Sequence, residues 1–251
     1  MTVLVAVKCS DGAVVGSDSI ATSSAGPQPL MQIQSADKVK LVGDRVLVAG
    51  TGDAGLGQRF GKHVQNAWDG KHFQKTWMDC CVHISAEACK DFQNSGTPRT
   101  LQNGFGFGAI LVAPFGQSVE VVEFGIIKFQ PEQKIEPIHF VSMGAGQILA
   151  DPFLGFVNRV LWKGKSPTIE RGLLGVYWTL MHTIEFAPGG VGHPMQFGIL
   201  KREGGQWHAS VKTEEDFQQI GQHVTSIEET IRNTRLIDEA DSSKPPEPPP
   251  E

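Results

Sequence analysis

No uninterrupted apolar stretch in the 251 residues is long enough to span a bilayer. The N-terminus also lacks the basic segment, apolar block and small-residue cleavage site of a secretory signal. A soluble protein of the cytoplasm is therefore expected, with no membrane partner. Positive charge is scarce as well: 22 Lys and Arg face 27 Asp and Glu, a net −5. Nucleic acid and acidic membrane surfaces are poor partners for such a chain. Only four cysteines occur, Cys9, Cys80, Cys81 and Cys89, none with Cys-x-x-Cys spacing and none joined by a His pair into a zinc pattern. No metal and no cofactor is expected, and the thiols read as reduced. Nothing repeats at a fixed period.

What is present is an ordinary globular composition, 40% hydrophobic and 20% charged, with enough length for one large core. Residues Thr2 to Lys8 read as a strand, Ser10-Asp11-Gly12 as a hairpin turn and Ala13 to Ser17 as the return strand. A polar loop, Ser23 to Ser35, precedes a second hairpin, Lys38 to Val42 and Arg45 to Ala49 around Gly43-Asp44. Helices are expected near Leu56 to Trp68, with Asp53 as cap, and Phe73 to Phe92. Strands resume at Phe105 to Val112, Ser118 to Phe124 and Ile138 to Met143. Helices near Asp151 to Lys163 and Thr168 to Ile184 follow, then strands Gln196 to Lys201 and Gln206 to Lys212, and a last helix, Thr213 to Arg235. Strands in hairpins and helices in pairs predict an α+β fold: two antiparallel sheets face to face with helices on both outer faces, a four-layer αββα sandwich over residues 1–235. The acidic, proline-rich residues 236–251 cannot build a core and are expected to be a disordered or extended tail.

Thr2 follows the initiator Met1, and removal of Met1 would leave a residue carrying both a free α-amine and a hydroxyl. Such a residue is a nucleophile with its own base. A nearby cation would lower the amine's proton affinity, and a buried cation needs a carboxylate. Lys38 and Asp18 are candidates if the first three strands are sheet neighbours; read alone, each is an ordinary strand-end or turn residue. Other features are bland. His182 and His193 read as structural or surface residues, and Gly104-Phe105-Gly106-Phe107-Gly108 leads into a strand, with no helix behind it to hold a phosphate.

The run Thr-x-x-x-x-x-Lys, then Asp-Gly-x-Val-x-Gly-x-Asp-Ser-x-Ala-Thr, then Lys-Val-x-Leu, then Ala-Gly-Thr-Gly-Asp-Ala, resembles the proteasome β-subunit family. The style is that of bacterial members, including HslV-type peptidases and bacterial proteasome homologs. The resemblance implies an N-terminal nucleophile hydrolase of the threonine type. Members of that family cleave peptide bonds inside homo-oligomeric stacked rings, usually fed by an AAA+ unfoldase. It implies Thr2 as nucleophile, Lys38 as the cation, Asp18 as its partner and the Gly50 N–H as oxyanion donor, with Thr22 pairing to extended substrate. If Lys40 lies on the substrate side, it would line a specificity pocket beside Ala21, Val48 and Gly52 and favour acidic or polar side chains; the alternative is a lysine that faces solvent. Lys40 is also a rival for the role of Lys38, since residues two apart on a strand share a face.

Four departures stand out. The loop between Asp18 and Lys38 is longer than usual. Ala145, in Gly144-Ala145-Gly146, stands where the family carries a serine. Glu185 and Pro188 are the nearest match to an acid and serine that support the amine. The departures at Ala145 and Pro188 leave open a ring subunit whose hydrolytic site has decayed, and a third reading is an N-terminal nucleophile amidase acting on small amides.

Overall fold

The computed structural model describes residues 2–24, 29–33, 36–95, 104–187 and 189–234. The tail 236–251 and Pro188 lie outside the described residues, as does part of the loop before Lys38.

Among the described residues, twelve strands and five α-helices run β1 (Leu4–Lys8), β2 (Gly12–Ser17), β3 (Ala21–Ser24), β4 (Pro29–Ile33), β5 (Val39–Val42), β6 (Val46–Gly52), α1 (Ala54–Asp69), α2 (Trp77–Asn94), β7 (Phe107–Phe115), β8 (Ser118–Phe124), β9 (Pro131–Gln133), β10 (Phe140–Met143), α3 (Gln147–Val157), α4 (Ile169–Phe186), β11 (Gln196–Glu203), β12 (Gln206–Thr213) and α5 (Gln218–Asn233). One five-stranded sheet has the order β10-β1-β2-β11-β12, the other β5-β6-β7-β8-β9, and every described pairing is antiparallel.

Three apolar layers hold the sandwich together. Leu4, Ala6, Val15, Val39, Leu47, Ile110 and Val121 fill the space between the sheets. Val48, Phe60, Phe92, Phe107 and Phe124 pack α1 and α2 on the second sheet. Val5, Val14, Leu154, Val176, Leu180 and Phe197 pack α3 and α4 on the first. Val3, Val5 and Val7 face helices while Leu4 and Ala6 face the other sheet, so both faces of β1 are buried and the strand is apolar at nearly every position. The four-layer αββα expectation is borne out.

Local chemistry explains the elements. Asp53 caps α1, its carboxylate accepting the Leu56 N–H at 2.9 Å. Leu56, Phe60, Val64 and Ala67 recur at helical spacing on its buried face. The β1–β2 turn closes with the Cys9 N–H donating to the Gly12 carbonyl at 2.8 Å.

Several expectations change. The stretch Ser23 to Ser35 is not wholly a loop: β3 and β4 pair there as a two-stranded ribbon, Thr22 opposite Gln32, with a register shift at Ser23/Ser24. Thr22 and Ile33 carry the β-branched side chains that favour strands, a signal the polar composition of the stretch outweighed in the sequence reading. The helix expected from Asp151 starts earlier, at Gln147, and ends in a π turn, Asn158–Trp162. The one expected from Thr213 begins as a 3-10 turn, Glu214–Phe217, before α5.

Candidate functional site

The first three strand segments are not all sheet neighbours. β1 and β2 pair in one sheet, whereas β5, which follows Lys38, belongs to the other. Lys38 therefore meets Asp18 across the sandwich and not along a ladder. Asp18 directly follows β2, fully buried, and Lys38 directly precedes β5, its side chain 8% exposed.

Four donors converge on the Asp18 carboxylate. Oδ1 accepts the Lys38 ammonium at 2.7 Å and the Val3 N–H at 3.0 Å. Oδ2 accepts the Ile20 N–H at 3.1 Å and the Gly192 N–H at 3.4 Å. Because Lys38 and the Val3 N–H share one oxygen, the ammonium is held beside the peptide that joins Thr2 to Val3. Burial pulls the Lys38 pKa below the ordinary lysine value, and the charge and hydrogen bond of Asp18 offset part of that shift.

The other side of the Thr2–Val3 peptide is held by the turn after β10. The Gly146 N–H donates to the Thr2 carbonyl at 3.1 Å. Gly144 has φ of 96° in that turn, and a Cβ there would stand 2.3 Å from the Thr2 oxygen. Only glycine accepts both the backbone conformation and the close approach. Thr2 is thus anchored through backbone on two sides by three segments: residues 144–146, Asp18 and, through Asp18, Lys38.

Gly50 lies one residue beyond Ala49, which pairs with Val39 as the last β5–β6 couple, so its peptide is not flanked by β5. Its neighbour Thr51 is buried, and the Thr51 hydroxyl approaches the Gly144 turn. Ala21 opens β3, and Thr22 follows within the β3–β4 ribbon. Lys40 does not reach Asp18. It is exposed on β5 opposite the buried Val48, and Lys38 alone of the two makes the ion pair. Gly52, with φ of 102°, ends β6.

Two departures have a visible geometry. Ala145 is exposed at the tip of its turn. Glu185 is exposed near the end of α4, where its charge acts on His182. His182 itself stacks on Phe153 at 4.2 Å, and His193 is exposed and paired with Glu214 at 2.7 Å. The glycine-rich 104–108 segment leads into β7, with Gly106 accepting the Asp53 N–H. Among the described residues, no three His, Cys, Asp or Glu side chains stand together as a metal site, and no helix is long and apolar enough to cross a membrane. Among the described residues no disulfide joins the four cysteines.

Sequence reasoning missed two contributors, Gly192 and Gln196. The Gly192 N–H reaches Asp18, and its carbonyl accepts the Ser19 N–H at 3.1 Å. Gln196 sits at the head of the apolar run Gln-Phe-Gly-Ile-Leu, a polar residue in a buried strand position, which was the available signal.

The proteasome subunit family model matches residues 2–154. The chain belongs to the proteasome subunit family. Within that span lie every residue of the Thr2, Asp18, Lys38 and Gly144–Gly146 arrangement. Among solved structures, this proteasome-family chain resembles a helical assembly of the Anbu complex from Pseudomonas aeruginosa, with TM-score 0.68, 15% identity and coverage of 95% of this chain and 99% of the other. It also resembles an Anbu (Gly-1) mutant from Hyphomicrobium sp. strain MC1, with TM-score 0.67, 13% identity and coverage of 95% and 100%. At that identity the likeness is one of fold, and it extends over the second half of the sandwich, beyond the family match. No curated protein matches the sequence significantly.

Proposed function

We propose that this proteasome-family subunit is a threonine-type endopeptidase that works as a self-assembled, compartmentalising complex in the cytoplasm. Met1 is removed, Thr2 becomes the first residue, and its freed α-amine takes the proton of its own hydroxyl. The oxygen attacks the scissile carbonyl, the peptide C–N bond breaks as the α-ammonium returns its proton to the departing amine, and water then hydrolyses the ester left on Thr2 to a free carboxyl group. Lys38, kept beside Thr2 by Asp18, lowers the amine's proton affinity and steadies the alkoxide as it forms. The Gly50 N–H donates to the oxyanion, and Thr22 pairs its backbone with an extended peptide. Ala21, Val48 and Gly52 line the pocket, and the exposed Lys40 favours acidic or polar side chains there.

The observation that carries this reading is the buried Lys38–Asp18 pair bonded through Asp18 to the Thr2–Val3 peptide. A buried ion pair contributes little to stability, which makes its place beside Thr2 more telling than its existence. Self-assembly rests on family membership and on the neighbour described as a helical assembly. A head-to-tail contact repeated between copies closes into rings or winds into a helix, depending only on its rotation. An AAA+ unfoldase would supply unfolded substrate.

Intact mass, particle imaging and treatment with a peptide epoxyketone test the proposal together. Loss of Met1, an assembled particle and an adduct on Thr2 are expected. An assembled, correctly processed particle that takes no adduct favours the alternative of a structural subunit, a reading motivated by Ala145 and the outward-facing Glu185. Turnover of small amides without peptide cleavage would instead identify an amidase.

A further inference from the structure

β2 and β5 lie in different sheets, so no ladder of backbone hydrogen bonds sets the distance between Asp18 and Lys38. One side chain spans that gap. Gln196, 7% exposed, stands on β11 directly across from Ser17, the residue before Asp18. Its Oε1 accepts the Lys38 N–H at 2.9 Å and the Val39 N–H at 3.4 Å. Its Nε2 donates to the Ala36 carbonyl at 3.1 Å and to Asp37 Oδ1 at 3.3 Å. The carboxamide has a fixed sense here, since reversing it would set NH2 against two N–H groups and oxygen against two oxygens. The same segment is tied to the Asp18 side at one more point, where the Ala36 N–H donates to the Ser19 carbonyl at 3.0 Å.

We propose that Gln196 is a positioning residue for Lys38. Its carboxamide takes the place of a missing neighbouring strand and holds residues 36–39 in register with Asp18, so that hydrolysis depends on it although it touches no substrate. The role rests on the reading of Lys38 as part of the hydrolytic site. Gln196 bonds to the Lys38 backbone and leaves the ammonium to Asp18. An apolar replacement would strand two buried N–H groups and release the start of β5, moving the ammonium off the Thr2–Val3 peptide.

The test uses the full-length, assembled protein and Gln196→Met, which keeps the length of the side chain and removes all four hydrogen bonds. Hydrolysis of fluorogenic peptides should lose about tenfold or more in kcat, with KM within about threefold of wild type. In parallel, competitive acetylation read by mass spectrometry should label Lys38 several-fold faster than in wild type, measured against Lys8 and Lys134 in the same molecule. Unchanged kcat and unchanged Lys38 labelling overturn the proposal. So does a loss of kcat matched by a rise in KM with Lys38 labelling unchanged, which marks a merely structural side chain. Should Q196M fail to assemble, Q196E, which loses the donor half of the clamp, is read in the same way. If wild type itself hydrolyses nothing, the endopeptidase reading fails, and Lys38 labelling still decides the role of Gln196.

Discussion

Replacing Asp18 with Asn strikes the centre of the site. All four groups around the carboxylate are donors: the Lys38 ammonium and the Val3, Ile20 and Gly192 N–H groups. An amide offers one oxygen and one NH2, so in either orientation two donors face a donor. Lys38 also loses its countercharge while its side chain stays 8% exposed. Breaking a buried pair by removing one partner costs about 3–5 kcal/mol.

The pH dependence follows from Lys38. Burial already depresses its pKa, and Asp18 is what raises it back. In Asp18→Asn the folded-state value falls further while the unfolded value is unchanged. Between those two values the unfolded chain binds one more proton, so stability rises with pH. The variant enters this window at lower pH than wild type, and its deficit should shrink as pH rises through the alkaline range. Its rate of epoxyketone labelling at Thr2 should fall off at lower pH than in wild type, because a neutral Lys38 no longer favours the alkoxide. Denaturant unfolding and labelling rates across this range check both statements. A deficit under about 1 kcal/mol, or one that does not change with pH, would refute the reasoning.

Three further outcomes are expected. Gly144→Ala puts a Cβ 2.3 Å from the Thr2 oxygen at φ of 96°. The left-handed conformation alone costs about 1–3 kcal/mol, so thermal unfolding should come earlier and Thr2 labelling should drop. Lys40→Glu should reverse the preference between acidic and basic fluorogenic peptides, and an unchanged ratio would remove Lys40 from the pocket. Glu120→Gln weakens a buried junction in which Glu120 accepts from Lys8 at 2.6 Å, Ser118 at 2.8 Å and Gln133 at 2.7 Å. It should cost about 1–3 kcal/mol in denaturant unfolding. Thr2 labelling should be unaffected, because Lys8 lies about 20 Å along β1 from Thr2.

The order of strands and helices was legible in the sequence because hairpins, caps and helical periodicity are local signals. Ser10-Asp11-Gly12 turns, Asp53 caps and the 56–60–64–67 stripe each act within a few residues. Thr2, Asp18 and Lys38 could be singled out for a similar reason: each sits in a short motif at the end of a strand. What local signals could not supply was partnership across the sandwich. The sequence reading let Lys38 meet Asp18 only if the first three strands were sheet neighbours, and it kept Lys40 as a rival. Which lysine meets the carboxylate depends on how two sheets stack, a contact between residues 20 apart that no periodicity encodes. Gln196 was overlooked because its partners, Ala36 to Val39, lie about 160 residues away. Side-chain spacing along the chain determined the layers of this protein; the meeting of Lys38 with Asp18, and of both with Gln196, was decided only when those layers closed, because burial forces each polar group to find its partner wherever the fold has brought one.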